Sequence, residues 1–251
     1  MADLNRNYTQ PQTVGRAEAG VVDQGLRAYM LRVYNYMGIG VAITGVVAYM
    51  TYAMAVVQSE AGLQLTSFGS FVYASPFKWV VIFAPLVMVF VLSARINKMS
   101  LSAAQLSFWI FAGLMGLSIS SIFLVYAHAS IARVFFITAA SFGALSLYGY
   151  TTGRDLSGWG SFLFMGLIGI ILASLVNLFI ASTALQFAVS VIGVLIFAGL
   201  TAYDTQQIKD MYYAGDDGTV AGRKAVMGAL RLYLDFMNLF MMLLQLFGDR
   251  R

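Results

Sequence analysis

The 251 residues include no cysteine and a single histidine, His128. The missing thiols exclude disulfides, thiol redox chemistry, iron–sulfur clusters and thiolate zinc sites, and one imidazole leaves little scope for histidine-based metal centres. Charge is scarce as well. Only 10% of residues are charged and 60% are hydrophobic, whereas a soluble domain runs at roughly 25% charged and 45–50% apolar. A water-soluble fold is thereby excluded. Three prolines and 14% aromatic residues also exclude disordered and collagen-like chains. With a mean hydropathy of +0.78 the chain reads as a polytopic membrane protein. The net charge of +4 would suggest nucleic acid in a soluble protein, but here the basic residues sit in short loops and record topology. The expected partner is the lipid bilayer, with no nucleic acid.

A helix needs about 20 apolar residues to cross the hydrocarbon core. Seven long apolar stretches are present, approximately 34–57, 79–94, 103–127, 134–150, 159–180, 184–203 and 225–247. The second is short and carries Pro85, which predicts a kink. Residues 1–30 are polar, contain Pro11, Gly15 and Gly20, and lack the apolar core of a signal peptide. They are expected to form a partly disordered cytosolic tail, leaving 31–251 as one all-α bundle. Lysine and arginine counting sets the orientation. With the N-terminus in the cytosol, ten basic residues fall inside (Arg6, Arg16, Arg27, Arg32, Arg95, Lys98, Arg154, Lys209, Arg223, Lys224) and four outside (Lys78, Arg133, Arg250, Arg251). This favours a cytosolic N-terminus and an external C-terminus. Close pairs of small residues, Gly113 with Gly116 and Gly166 with Gly169, are expected to let helices approach.

Nine of the eleven acidic residues lie in tails or loops; Asp204 and Asp235 do not. Asp204 ends the sixth stretch and Asp235 lies two to three turns into the seventh, so both reach similar depth in the cytosolic half. Arg231, Asp235, Asn238, Met242 and Gln245 are spaced 4, 3, 4 and 3 residues apart, which aligns them on one helical face. Such a stripe is too costly to face lipid. The rest of that helix is rich in Leu, Met and Phe, so it is placed at the centre of the bundle. The bland readings are an Arg231–Asp235 ion pair that only orders the bundle, and an Asp204 that reaches interfacial water beside Gln206, Gln207 and Lys209. The sharper reading brings Asp204 and Asp235 together. Two carboxylates in one low-dielectric site do not readily both ionise, so the pair is expected to share a proton and to sense pH. It would also attract a cation. Ca²⁺ takes six to eight oxygens, so two aspartates, with Tyr203, Thr201, Asn238, backbone carbonyls and water, would make a weak metal site suited to passage. Arg95, at the end of the second stretch, lies at a depth from which it could pair with one aspartate, or it only obeys the positive-inside rule. Glu60, near the outer mouth, could gather cations or simply be solvated.

The runs ALSLYGYTTGRDLSGWGSFLFMGLIG (144–169), VLIFAGLTAYDTQQIKDMY (194–212) and ALRLYLDFMNLFMMLLQLFG (229–248) resemble the bacterial branch of the Bax inhibitor-1 family, over roughly residues 25–251. The resemblance implies six helices around a central seventh and a pH-sensitive calcium leak across a bacterial inner membrane. It further implies that the family's paired aspartates fall on Asp204 and Asp235, and that its latching arginine falls on Arg95. No resident cofactor is implied, calcium and protons being the ions handled.

Among enzymatic readings one is kept as a remote alternative and the others fail on inventory. An intramembrane aspartyl protease also uses two aspartates, and Tyr203–Asp204 mimics part of such a motif, but Asp235 follows Tyr233–Leu234 and no glycine-flanked turn. A serine protease would need His128 near its nucleophile, whereas it is expected in the outer loop between helices three and four; HExxH is absent, and no lysine lies in mid-membrane for a retinal. The other live reading is a non-conducting regulator that binds a quality-control partner through its N-terminal tail or the 211–224 loop. In that loop Asp216 and Asp217 do not match an EF-hand and are expected to form a solvated turn.

Overall fold

The computed structural model describes residues 12–59 and 62–251, with side chains from residue 24 onward. Glu60 and the expected tail up to residue 23 lie outside the described side chains. Seven long helices are present: α1 (Gln12–Ala55), α2 (Phe77–Arg95), α3 (Leu101–Ile119), α4 (His128–Thr151), α5 (Ser157–Ile180), α6 (Thr183–Asp210) and α7 (Gly218–Phe247). All seven expected stretches are helical, and each is long and apolar enough to cross a membrane. Most begin earlier or end later than the apolar runs. A helix continues past the hydrocarbon until its end groups find caps. Ser100, Ser182 and Asp217 supply those caps, accepting from Ala103 N at 3.2 Å, Leu185 N at 3.3 Å and Val220 N at 2.7 Å. Asp217 is therefore a cap, and Asp216 an ion-pair partner of Lys224, where a solvated turn was expected. His128 opens α4, where an outer-loop position was expected, and lies edge-on to Tyr52 and Phe123.

The loop after α1 holds an unforeseen antiparallel hairpin, β1 (Val56–Ser59) with β2 (Gly62–Leu65), in which Val56 pairs with Leu65. α2 runs as one helix through Pro85. Between α5 and α6 the chain turns at Ala181, whose φ of 53° is a left-handed conformation that non-glycine residues rarely adopt. Asn177 holds the corner: its carbonyl accepts from Ala181 N at 2.8 Å and its side chain from Ser182 N at 2.9 Å.

α7 occupies the centre and packs directly against α1, α3, α4 and α6, while α2 rests on α3 and α5 on α6. Tyr29, Met30 and Val33 of α1, two of them inside the stretch expected to be tail, belong to the same core as Tyr233, Leu239 and Leu244 of α7. Lipid tails are as apolar as leucine, so contact between helices gains dispersion and polar pairing more than hydrophobic free energy. Close backbone approach matters accordingly. A Cβ on Gly149 would collide with the Ala202 backbone of α6, and one on Gly116 would strike the Thr44 carbonyl of α1. The two expected small-residue pairs are split: Gly116 and Gly166 face neighbours, whereas Gly113 and Gly169 meet nothing. Polar pairing is concentrated at Thr44. Its hydroxyl accepts from Tyr233 Oη at 2.7 Å and faces the Ala112 and Gly40 carbonyls at 2.8 and 3.0 Å, joining α1, α3 and α7.

The connections fall into the two ends that the basic-residue count assumed. At one, Arg223 donates to the Asn97 and Met99 carbonyls, and Gln206 to the Arg154 carbonyl. At the other, the final residues lie along the α3–α4 junction, with Ala127 N donating to Asp249 O and Arg251 N to Val125 O, both at 2.9 Å.

Candidate functional site

α6 and α7 form the most extensive helix pair of the bundle. α6 runs seven residues past the end of its apolar run, which carries Asp204 beyond that run on a continuous helix. The short 211–217 turn then returns the chain so that Asp235 comes level with it. The two carboxyl groups meet across this interface within hydrogen-bonding reach. Asp204 is half-buried and Asp235 buried, at 5% exposure. Oδ2 of Asp235 has no hydrogen-bond partner among the described residues, an expensive condition for a charged oxygen in a low-dielectric interior. Two carboxylates in such contact repel unless a proton or a cation lies between them.

The cation whose field reaches both carboxyls is Arg231, one turn before Asp235 on α7. Arg231 is exposed, and among the described residues it forms no ion pair with either aspartate within 4 Å. Arg95 is exposed at the end of α2 and makes no ion pair among the described residues. Thr201 donates to the Phe197 carbonyl at 2.7 Å, and Asn238 Nδ2 to the Leu234 carbonyl at 2.8 Å. Both thus spend a donor on their own helix and keep acceptor oxygens. Tyr203 stands against Gly160 of α5, beside a cavity of about 340 Å³ bounded by Leu156, Trp159 and Tyr203. Further along the α7 stripe, Gln245 accepts from Ser190 of α6 at 2.9 Å.

Sequence reading missed Thr205, Ser146 and Tyr34, which frame the pair, and set Gln206 in interfacial water, where the structure buries it. Next to Asp204, Thr205 donates to the Thr201 carbonyl at 2.7 Å and meets Ser146 of α4 at 2.9 Å; Ser146 in turn meets Tyr34 Oη of α1 at 2.7 Å. Gln206 is buried and staples α6 to the α4–α5 turn, accepting from Leu156 N and donating to Arg154 O, each at 2.8 Å. The signal available was the recurrence of Thr201 and Thr205 four residues apart, one turn of helix, beside Asp204. Asp155, in the same turn, accepts from the Ser157 side chain and from Ser157 N, the latter at 2.8 Å, and these bonds hold its carboxyl below the usual carboxylate range. Among the described residues no three acidic or histidine side chains gather as a metal cluster.

Comparison with known proteins agrees with this architecture. A family model described as "Inhibitor of apoptosis-promoting Bax1" matches residues 26–251. Inner membrane protein YbhL of Escherichia coli K12 is 50% identical over 229 residues, 90% of this chain and 94% of its own. An uncharacterised protein of Rickettsia prowazekii is 46% identical over 245 residues, 98% and 99% of the two chains. An uncharacterised protein of Caulobacter vibrioides is 43% identical over 252 residues and the full length of both. A match spanning all seven helices, on a bundle whose central helix is the last, makes this multi-pass membrane protein a member of the Bax inhibitor-1 family.

Proposed function

We propose that the protein is a non-enzymatic, pH-sensitive calcium leak of a bacterial inner membrane, gated by Asp204 and Asp235, with its N-terminus in the cytosol and its C-terminus outside. The observation that carries this reading is the contact of the two carboxyl groups inside the α6–α7 interface, with one oxygen of Asp235 unpartnered. Acid supplies the proton that relieves their repulsion. At higher pH the pair is anionic, and a nearby guanidinium holds the helices in place. In this conformation Arg231 is the guanidinium at hand; Arg95 is the latch that the family resemblance implies, and it would engage only after α2 and α7 move. Acidification weakens either attraction, and α7 shifts against its neighbours to open a path. Two carboxylates, with oxygens from Thr201 and Asn238, fall short of a full Ca²⁺ shell, and Tyr203, turned to Gly160 of α5, drops out of the expected donor set; so thin a shell supports brief passage over storage and a role without any resident cofactor. The name of the Escherichia coli relative supports the inner-membrane assignment.

The test is calcium flux into liposomes holding the purified protein, between about pH 6 and pH 8. Flux should rise on acidification and lose its pH dependence in the Asp204→Asn, Asp235→Asn double variant. Wild-type flux no greater than that of empty liposomes would end the leak reading and favour a non-conducting regulator.

A further inference from the structure

We propose that the cleft between α1 and α4 binds an anionic phospholipid taken from the bilayer. The cleft has a volume of about 690 Å³ and is bounded by Arg27, Met30, Leu31 and Tyr34 of α1 and by Phe142, Gly143, Ser146, Leu147 and Tyr150 of α4. Both helices rest on α7, and the cleft is the gap left between them on the outer side. Its lips are apolar and open outward, Leu31 being 52% and Leu147 62% exposed. Gly143 contributes an empty stretch of wall, since a Cβ there would meet no atom within 4 Å.

Chemistry changes along its length. At one end stands Arg27, exposed, three residues into the membrane-spanning part of α1 and without an ion-pair partner among the described residues. The same end is closed by Tyr150, whose carbonyl accepts from Lys209 at 3.0 Å and whose ring lies 5.6 Å from that ammonium. Arg27 thus makes this the cationic end of the cleft, with Lys209 held behind Tyr150 outside its lining. Deeper in, the Tyr34–Ser146 hydrogen bond of 2.7 Å forms a small polar floor. From Arg27 to Tyr34 a helix rises about 10 Å, enough for a phosphate, a glycerol and the first methylenes of an acyl chain. A soluble anion would satisfy only the cationic end, whereas a phospholipid satisfies both the charge and the apolar wall. Basic pockets between transmembrane helices select anionic headgroups on the same physical grounds. The inference is independent of the ion-leak reading.

The test uses native mass spectrometry of the delipidated full chain in detergent, titrated with phosphatidylglycerol, with phosphatidylethanolamine of identical acyl chains, and with inorganic phosphate. The wild type should retain one phosphatidylglycerol at least tenfold more readily than phosphatidylethanolamine. Arg27→Gln, at an exposed position that leaves the core intact, should bring the two lipids close to parity, and Gly143→Leu, which fills the wall, should reduce retention of both. Equal retention of the two lipids by the wild type, or unchanged selectivity in Arg27→Gln, would overturn the proposal. So would inorganic phosphate displacing the lipid at millimolar concentration, because the anion alone would then be the ligand.

Discussion

α5 and α7 are opposites. α5 is the most apolar of the seven spans and the least buried, with 11% of its most apolar window inside the protein; α7 is the least apolar and the most buried, at 67%. In a soluble protein the ranking would run the other way. In a bilayer, lipid solvates Phe164, Leu172 and Phe179 as well as protein would, so an all-apolar helix gains little by moving inward. A helix carrying Asp235, Asn238 and Gln245 has nowhere else to go, while Arg231, expected on the same stripe, is exposed. Central position thus follows polarity, and the difference between the two helices can be broken or sharpened experimentally.

The largest effect is expected in the middle of α7. Tyr233 is fully buried, edge-on to Phe108 and Phe111 at 5.9 and 5.2 Å, and bonded to Thr44. Tyr233→Ala should cost about 3–5 kcal/mol, read as a collapse of the detergent-solubilised melting transition. A comparable melting temperature would show that α7 is not the structural centre. Next comes a charge on the lipid face of α5. Ile168→Arg, at a position 43% exposed, should cost about 2.5–3.5 kcal/mol of insertion, visible as loss of membrane-integrated protein in a glycosylation-reporter assay. Tyr233→Phe keeps the ring and removes the hydroxyl that Thr44 accepts from; a loss of about 1 kcal/mol is expected in denaturant titration, and none at all would mean that the Thr44 junction contributes shape only. The smallest effect belongs to α5 again. Leu172→Ala, 56% exposed, should stay within about 0.5 kcal/mol of wild type, since lipid takes the place of the lost methyls.

One substitution tests what polarity on α7 is for. Asp235→Asn removes the repulsion between a buried and a half-buried carboxyl, and with it an unpartnered buried charge that is costly to keep. Its melting temperature should be no lower than that of wild type while the pH response of flux disappears. A marked loss of stability would mark Asp235 as a structural residue.

Much of this was legible in the sequence because a bilayer simplifies the reading. Length and apolarity alone marked seven spans, and charge inside a span singled out Asp204 and Asp235. Helix ends were less legible: Asp217 caps α7, and Asp204 sits within α6, since a helix does not stop where hydrophobicity does. Contacts between helices were hidden altogether. That Ser146 meets both Tyr34 and Thr205, or that Gly116 faces α1 while Gly113 faces nothing, depends on the rotation of each helix about its axis. Rotation is set by many packing contacts at once, which is also why Arg231 and not Arg95 stands nearest the carboxyls here.

The central place of α7 also bears on biogenesis. Chains are made from the N-terminus onward, so the first helices enter the membrane before the helix they surround. Thr44 is in place before Tyr233, its partner on α7. The bundle is therefore assembled from its walls to its pillar, and a nascent chain halted before residue 218 has every outer helix and no core to close upon.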